Sequence, residues 1–237
     1  MSLFTTADLH LSLSVDKTMT IFPGWEGYMR RIEENWRRVV KDGDTVVLIG
    51  DFSWAQRLTD AEADFDFVQR LPGRKLMIKG NHDLWWSTLH KMNTFLLEHG
   101  FDSMEFIHNS AARVGDIAVC GSRGWFFDAE EAADRKILSR EANRLESSIR
   151  AALALGGEPV AFLHYPPIYN HAYCKEIMNV LTSYPIRRCY YGHIHCPTVP
   201  PAANCVFAGI RFQLVSSVCN SFCPILVPEY PAGADGE

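Results

Sequence analysis

The residues equipped for chemistry fall in five short clusters: Asp8-Leu9-His10, Gly50-Asp51, Gly80-Asn81-His82-Asp83, the single His164, and Gly192-His193-Ile194-His195. Imidazoles, carboxylates and one carboxamide, with no thiolate among them, suit Mn, Fe or Zn. Asp8, His10, Asp51, Asn81, His164, His193 and His195 are too many ligands for one tetrahedral ion. Two ions are implied. Cations about 3.5–4 Å apart can share one hydroxide and hold a phosphoryl oxygen each, which is the arrangement for in-line hydrolysis of a phosphate ester. The i, i+2 spacing of Asp8 with His10, and of His193 with His195, predicts that each pair projects from one side of an extended backbone. Gly50, Gly80 and Gly192 stand where a side chain would hinder a sharp turn and crowd the ions.

Donors so far apart in the chain meet only if the elements before them end in one place. Leu3 to Ala7, Thr45 to Ile49, Leu76 to Lys79, Val160 to Leu163 and Arg188 to Tyr191 are apolar or β-branched runs, and each leads into a cluster. Open α/β sheets gather their ligands beyond the carboxyl ends of the strands. Between the first two runs, Met29, Ile32, Trp36, Val39 and Val40 recur at helical steps until Lys41-Asp42-Gly43-Asp44. A second helix is predicted from Asp60 to Leu71, closing at Pro72-Gly73. A third runs from about Glu130 to Leu155, with Leu138, Ala142, Leu145, Ile149 and Ala152 in one stripe and Gly156-Gly157 as its stop. From Cys196 onward the pattern predicts short antiparallel strands. Alternating strands and helices make an α/β fold, and with no repeat or linker the simplest account is one domain over residues 1–237.

Composition narrows the partners. With 237 residues and 47% apolar content the chain can bury a large core, while a formal charge of −5 supplies no overall basic field for nucleic acid. No segment approaches the roughly 20 apolar residues of a membrane span, and Asp8 and His10 interrupt any secretory signal. Seven cysteines, an odd number without paired CxxC spacing, read as reduced thiols, and Cys219 with Cys223 lacks the second pair of a thiolate zinc site. These features point to a cytoplasmic protein with no membrane partner and do not favour nucleic acid; they leave oligomeric state open.

The ordered set DxH, GD, GNH(D/E), H and GHxH resembles the signature of the calcineurin-like metallophosphoesterase superfamily, and it spans Asp8 to His195. Gly50-Asp51-Phe52-Ser53-Trp54-Ala55 and Gly80-Asn81-His82-Asp83-Leu84-Trp85-Trp86 are similar to the contexts found in a bacterial group of predicted phosphohydrolases within it. The resemblance implies a four-layer α/β/β/α sandwich with the metals above the sheet edges. It also implies a first metal on Asp8, His10 and His195, a second on Asn81, His164 and His193, and Asp51 bridging them. The resemblance further implies a small-molecule phosphoester or nucleotide substrate: hydroxide shared by the ions would attack, His82 would assist the leaving group, and Asp83 or Asp8 would orient His82. Manganese is the expected metal, with iron or zinc as alternatives.

Phe52-Ser53-Trp54 replaces the further Asp and Arg of the protein Ser/Thr phosphatase branch, which argues against protein dephosphorylation. The longest predicted helix occupies the region from Trp125 to Gly157, which gives no support to the branch that hydrolyses a nucleotide-linked lipid precursor. The alternatives are a metal-dependent nuclease, against which the acidic balance counts, and a non-catalytic binding scaffold, against which the complete signature counts. Trp54, Trp85 and Trp86 are expected to pack the loops rather than stack on a substrate. His90, His99 and His108 read as surface or packing residues, and His171 as a loop residue that could reach the pocket rim. Arg123 is either a phosphate clamp or one half of a surface ion pair.

Overall fold

Strands buried on both faces read as continuous apolar runs, and the central strands of this chain do so. The computed structural model describes residues 1–125, 132–170 and 172–229. In chain order the elements are β1 (Leu3–Thr6), α1 (Tyr28–Val39), β2 (Thr45–Ile49), α2 (Glu62–Gln69), β3 (Arg74–Ile78), α3 (Leu89–His99), β4 (Met104–Phe106), β5 (Ala112–Val114) and β6 (Ile117–Ser122). Then come α4 (Ala132–Leu155), β7 (Glu158–Leu163), the two-residue strands β8 (Ile168–Tyr169) and β9 (Ala172–Tyr173), and α5 (Lys175–Thr182). The last strands are β10 (Arg188–Tyr191), β11 (Cys205–Phe207), β12 (Ile210–Leu214) and β13 (Ile225–Val227).

Two sheets carry the molecule, one ordered β13-β1-β2-β3-β4 and the other β11-β12-β10-β7-β6-β5. β1 to β4 are parallel, as are β6, β7, β10 and β12. Within these two sheets the edge strands β13, β11 and β5 pair antiparallel to their neighbours, and β8 and β9 form a separate antiparallel pair. Val47, Ile49, Leu76 and Ile78 of the first sheet meet Val119, Val160, Phe162 and Tyr190 of the second in a core between the sheets. The first sheet's outer face packs under α1, α2 and α3 through Ile32, Trp36, Phe65 and Phe95. The second sheet's outer face packs under α4 and α5 through Leu145, Ile149, Ile177 and Leu181. The result is the α/β/β/α sandwich.

The helices form where their apolar stripes require burial. In α1, Tyr28, Ile32 and Trp36 face inward, and the Trp36 indole donates to the Pro72 carbonyl at 2.9 Å. Truncating a buried Trp of this kind typically costs about 3–5 kcal/mol. All five stripe residues expected in the longest helix are buried in α4, and Gly156 and Gly157 follow it with φ of 73° and 86°. The segment expected from Asp60 to Leu71 begins instead as a short 3-10 turn, Leu58–Ala61, before α2.

The carboxyl-terminal part departs from expectation. β11 and β12 form the anticipated antiparallel hairpin, but β12 runs parallel to β10, with Arg188 opposite Arg211. The chain then leaves β12 between the two sheets. Val215 accepts from the Ala7 N–H at 3.1 Å and Ser217 donates to the Ala7 carbonyl at 2.9 Å, which ties this segment to the end of β1. No helix among the described residues is long and apolar enough to cross a membrane.

Candidate metal centre

The site is assembled where β1, β2 and β3 of one sheet and β7 and β10 of the other all end. Asp8, His10, Asp51 and His164 are fully buried. Their loops bend more sharply than an extended backbone allows: Asp8, His10, Asp51 and His193 all have left-handed φ, at 59°, 46°, 50° and 72°. Non-glycine residues rarely adopt this region, and such local strain collects at functional sites. The expectation that Asp8 and His10 share one side of an extended strand is therefore corrected, because a left-handed bend at each residue brings the side chains together. Gly50 shows why the loops need glycine. A Cβ there would lie 2.5 Å from Gly80 Cα and 2.7 Å from His164 Nδ1, and one on Gly80 would overlap the Asp51 amide.

Two groups of side chains result, Asp8, His10, Asp51 and His195 in one, and Asp51, His164 and His193 in the other, each with ligand atoms close enough to hold one ion. Asp51 belongs to both. Its Oδ1 accepts the His82 N–H at 2.8 Å, whereas Oδ2 is buried without a hydrogen-bond donor. That oxygen lies 3.6 Å from His10 Nε2 and 3.5 Å from His164 Nε2. A buried carboxylate oxygen with no donor is costly unless a cation meets it.

The nitrogens agree with the carboxylates. His10 Nε2 and His195 Nε2 face each other at 3.1 Å, and His195 Nε2 is 3.3 Å from Asp8 Oδ1. His164 Nδ1–H donates to the Ile49 carbonyl at 3.0 Å, which fixes its tautomer and turns Nε2 toward Asn81 Oδ1, 2.7 Å away. His193 Nδ1 reaches the same oxygen at 2.9 Å. Asn81 thereby joins the second group. Burial and the neighbouring imidazoles hold His193 down at about 3 and His10 well below its ordinary value, so both keep lone pairs available for an ion. For Asp8, burial acts upward, but the charge and hydrogen bond of His195 outweigh it and hold the carboxyl far below the usual range. The residues present fit a pair of cations.

His82 stands over this centre. Its ring is half-buried, lies 4.5 Å from the Trp54 ring and 5.7 Å from that of His10, and makes no hydrogen bond among the described residues. Burial, followed by the charge of Lys17, lowers its pKa. Asp83 does not orient it, contrary to expectation. The Asp83 carboxylate instead accepts the N–H groups of Gly80 at 2.7 Å, Phe52 at 2.9 Å and Asp51 at 3.0 Å, and the Trp85 indole at 3.1 Å. The turn through His82 points Asp83 inward, so it ties the Asp51 loop to the Asn81 loop. Burial and the nearby Asp51 charge push it up to about 6.

Several contributors carry no spacing signal. Ser216 Oγ donates to Asp8 Oδ2 at 2.5 Å and Ser217 Oγ to the Asp8 carbonyl at 2.7 Å. Trp25 is buried with its ring 5.8 Å from His10 and 5.7 Å from His195. Trp54 is more than loop packing, since it stacks on His10 at 4.6 Å and carries the Lys17 ammonium 3.3 Å above its ring. Trp85 is a core residue among Phe52, Phe65 and Phe106. His90 and His99 lie on the surface, and His171 lies outside the described residues. No cysteine enters either ligand group among the described residues.

A two-sheet sandwich whose parallel strands end in buried carboxylates and imidazoles defines a metallohydrolase. The family model for calcineurin-like phosphoesterases matches residues 1–197, and the chain belongs to that family. It is a metal-dependent phosphohydrolase that uses divalent ions. Among solved structures, the protein TT1561 of Thermus thermophilus is similar over 95% of this chain and 97% of its own, with a TM-score of 0.58 and 13% identity. A protein of unknown function from Aquifex aeolicus covers 95% of each chain, at a TM-score of 0.55 and 17% identity. The phosphopantetheinyl hydrolase of Mycobacterium tuberculosis covers 99% of this chain and 98% of its own, at a TM-score of 0.53 and 14% identity. At these identities the likeness is one of fold. A search of curated proteins finds no match.

Proposed function

We propose that the protein hydrolyses phosphomonoesters or phosphodiesters of small molecules or nucleotides at a two-metal centre. Asp8, His10, Asp51 and His195 would hold one ion, Asp51, Asn81, His164 and His193 the other. The observation that carries this reading is Asp51 Oδ2, a buried carboxylate oxygen without a donor, set between the two ligand groups. Bound there, manganese, or iron or zinc in its place, would supply a nucleophile at neutral pH and neutralise the phosphoryl oxygens.

The chain's own residues do the rest. Asp83 holds the Asp51 and Asn81 loops at fixed separation, and Ser216 and Ser217 fix Asp8. His82, with a free ring edge and a lowered pKa, is neutral near pH 7 and donates its N–H toward the developing charge on the leaving oxygen. Trp54 and Trp25 close the apolar side of the crevice and exclude water from His10.

The test is elemental analysis followed by a manganese-supplemented screen. p-Nitrophenyl phosphate, bis-p-nitrophenyl phosphate, cyclic nucleotides and single-stranded DNA separate monoesterase, diesterase and nuclease activity. The structural likeness to a phosphopantetheinyl hydrolase adds a phosphopantetheinyl ester to the panel. Two bound ions with turnover of at least one small ester is the expected result. A protein that takes up no metal, or that stays inert with two ions bound, overturns the reading.

A further inference from the structure

Beside the metal crevice lies a narrow hollow between the ends of β3 and β6 and the first half of α4, lined by Lys79, Trp86, His108, Arg123, Glu141 and Arg144. Glu141 is only 1% exposed, and its Oε1 accepts from Arg123 at 3.2 Å and from Arg144 at 2.7 Å. With Lys79 in the same lining, three cations stand against this one carboxylate. Arg123 Nε and Trp86 Nε1 are buried, and no described residue accepts from either. A recess lined by excess positive charge and donors without acceptors is complementary to an anion.

Two further features link the recess to catalysis. Outward, it continues into a groove along α4 lined by Arg135, Lys136, Arg140 and Arg144, with no carboxylate among the described lining residues. Inward, it shares a wall with the metal centre. The Arg123 guanidinium lies 4.8 Å over the Trp125 ring, Trp125 is 5.6 Å from Tyr165, and Tyr165 is 4.5 Å from His193. The Arg123 carbonyl accepts the Tyr165 N–H at 2.9 Å, and Lys79 immediately precedes Gly80-Asn81.

We propose that Lys79, Arg123 and Arg144 form a second anion subsite, which holds a phosphate of the substrate other than the one being hydrolysed. The inference rests on the phosphoesterase reading above and narrows its substrate to a small phosphoester with two separated phosphates. The recess encloses only about 20 Å³, so it admits the oxygens of one phosphoryl group at its mouth and not a nucleic-acid strand. The Arg123 side chain is only 17% exposed, and the whole chain carries a charge of −5.

Calorimetry and kinetics test this together, with adenosine 3′,5′-bisphosphate and AMP as probes. Chelator-treated wild-type protein should bind the bisphosphate, and Arg123→Gln should weaken that binding about tenfold or more. Glu141→Gln should tighten it, because the competing negative charge is gone and only a neutral amide oxygen is left against the two guanidinium groups. A purely bracing ion-pair network predicts no such tightening. Equal affinity in all three proteins, or weaker binding in a Glu141→Gln protein that melts like wild type, overturns the subsite. Should Arg123→Gln fail to fold, Lys79→Gln takes its place, since Lys79 forms no ion pair among the described residues.

With manganese bound, the second phosphate should lower KM about tenfold relative to AMP, and Arg123→Gln should erase the difference through KM rather than kcat. Equal KM values alongside hydrolysis of p-nitrophenyl phosphate sink the subsite and leave the phosphoesterase reading standing. If no ester turns over with two ions bound, the phosphoesterase reading fails while calorimetry still decides the subsite. Preferred cleavage of a single-stranded oligonucleotide, lost in Arg135→Gln/Arg140→Gln, would identify nucleic acid as the occupant and overturn the proposal.

Discussion

Two neighbouring hollows meet at the end of β3, and they are built from opposite kinds of atom. The metal crevice gathers acceptors: Asp51 Oδ2 has no donor, and imidazole nitrogens face one another or an amide oxygen. The recess at Arg123 gathers donors: Arg123 Nε and Trp86 Nε1 have no acceptor, and Arg123 and Arg144 share Glu141 while Lys79 lines the same hollow. Each kind of imbalance costs free energy in an isolated protein, and each is relieved by a ligand of the complementary sign. The comparison teaches that the sign of a missing partner can be read from which atoms are left unpaired. It also shows how one phosphoester could satisfy both hollows, with a reacting group over the cations and a second anionic group among the arginines.

The largest effect should come from removing the acceptor shared by both ligand groups. Asp51→Ala is expected to lose both ions and all measurable hydrolysis, with metal content read by elemental analysis; two ions retained would break the crevice side of the comparison. His82→Ala should keep its ions and lose about two to four orders of magnitude in turnover. Loss of metal in that variant would mean that His82 is a ligand rather than a donor to the leaving group.

Asp83→Ala leaves the N–H groups of Gly80, Asp51 and Phe52 buried without an acceptor, and should destabilise the fold by at least about 3 kcal/mol in urea titration. Manganese at a hundredfold excess over its dissociation constant should raise unfolding stability by about 2.7 kcal/mol, and chelation should reverse the gain. No shift in thermal melting would show that the crevice is already balanced without cations. Ser216→Ala removes one hydrogen bond to Asp8 and should weaken metal affinity about 10–100-fold with the melt of the chelated protein unchanged.

Much of this arrangement was legible in the chain because its strands are covered on both faces and end in polar residues. Thr45–Ile49 and Arg188–Tyr191 form where apolar runs predict them, and the amphipathic stripe of α4 needs no tertiary information. Ser216 and Ser217 were not legible. They reach Asp8 because β12 crosses to lie parallel to β10, a long-range pairing that leaves no periodic trace in the residues themselves. Asp83 shows a different limit. Its adjacency to His82 suggested a shared role, but the direction of its side chain depends on a turn that local spacing does not encode. Trp25 lies in an irregular stretch between β1 and α1, where neither helical nor strand period applies. His108, expected to be a packing residue, lines the cationic recess because β4 places the turn after it beside Arg144.

The near contact of Gly50 with Gly80 has a consequence for how such an enzyme can change. The loops bearing Asp51 and Asn81 touch through main chain, and Asp83 laces their amides together, so the bite of this jaw is set by backbone rather than by interchangeable side chains. Residues at the rim, such as Lys17, Arg123 and those along α4, are not part of that lacing. The rim can therefore be remodelled for new esters while the jaw keeps its gauge.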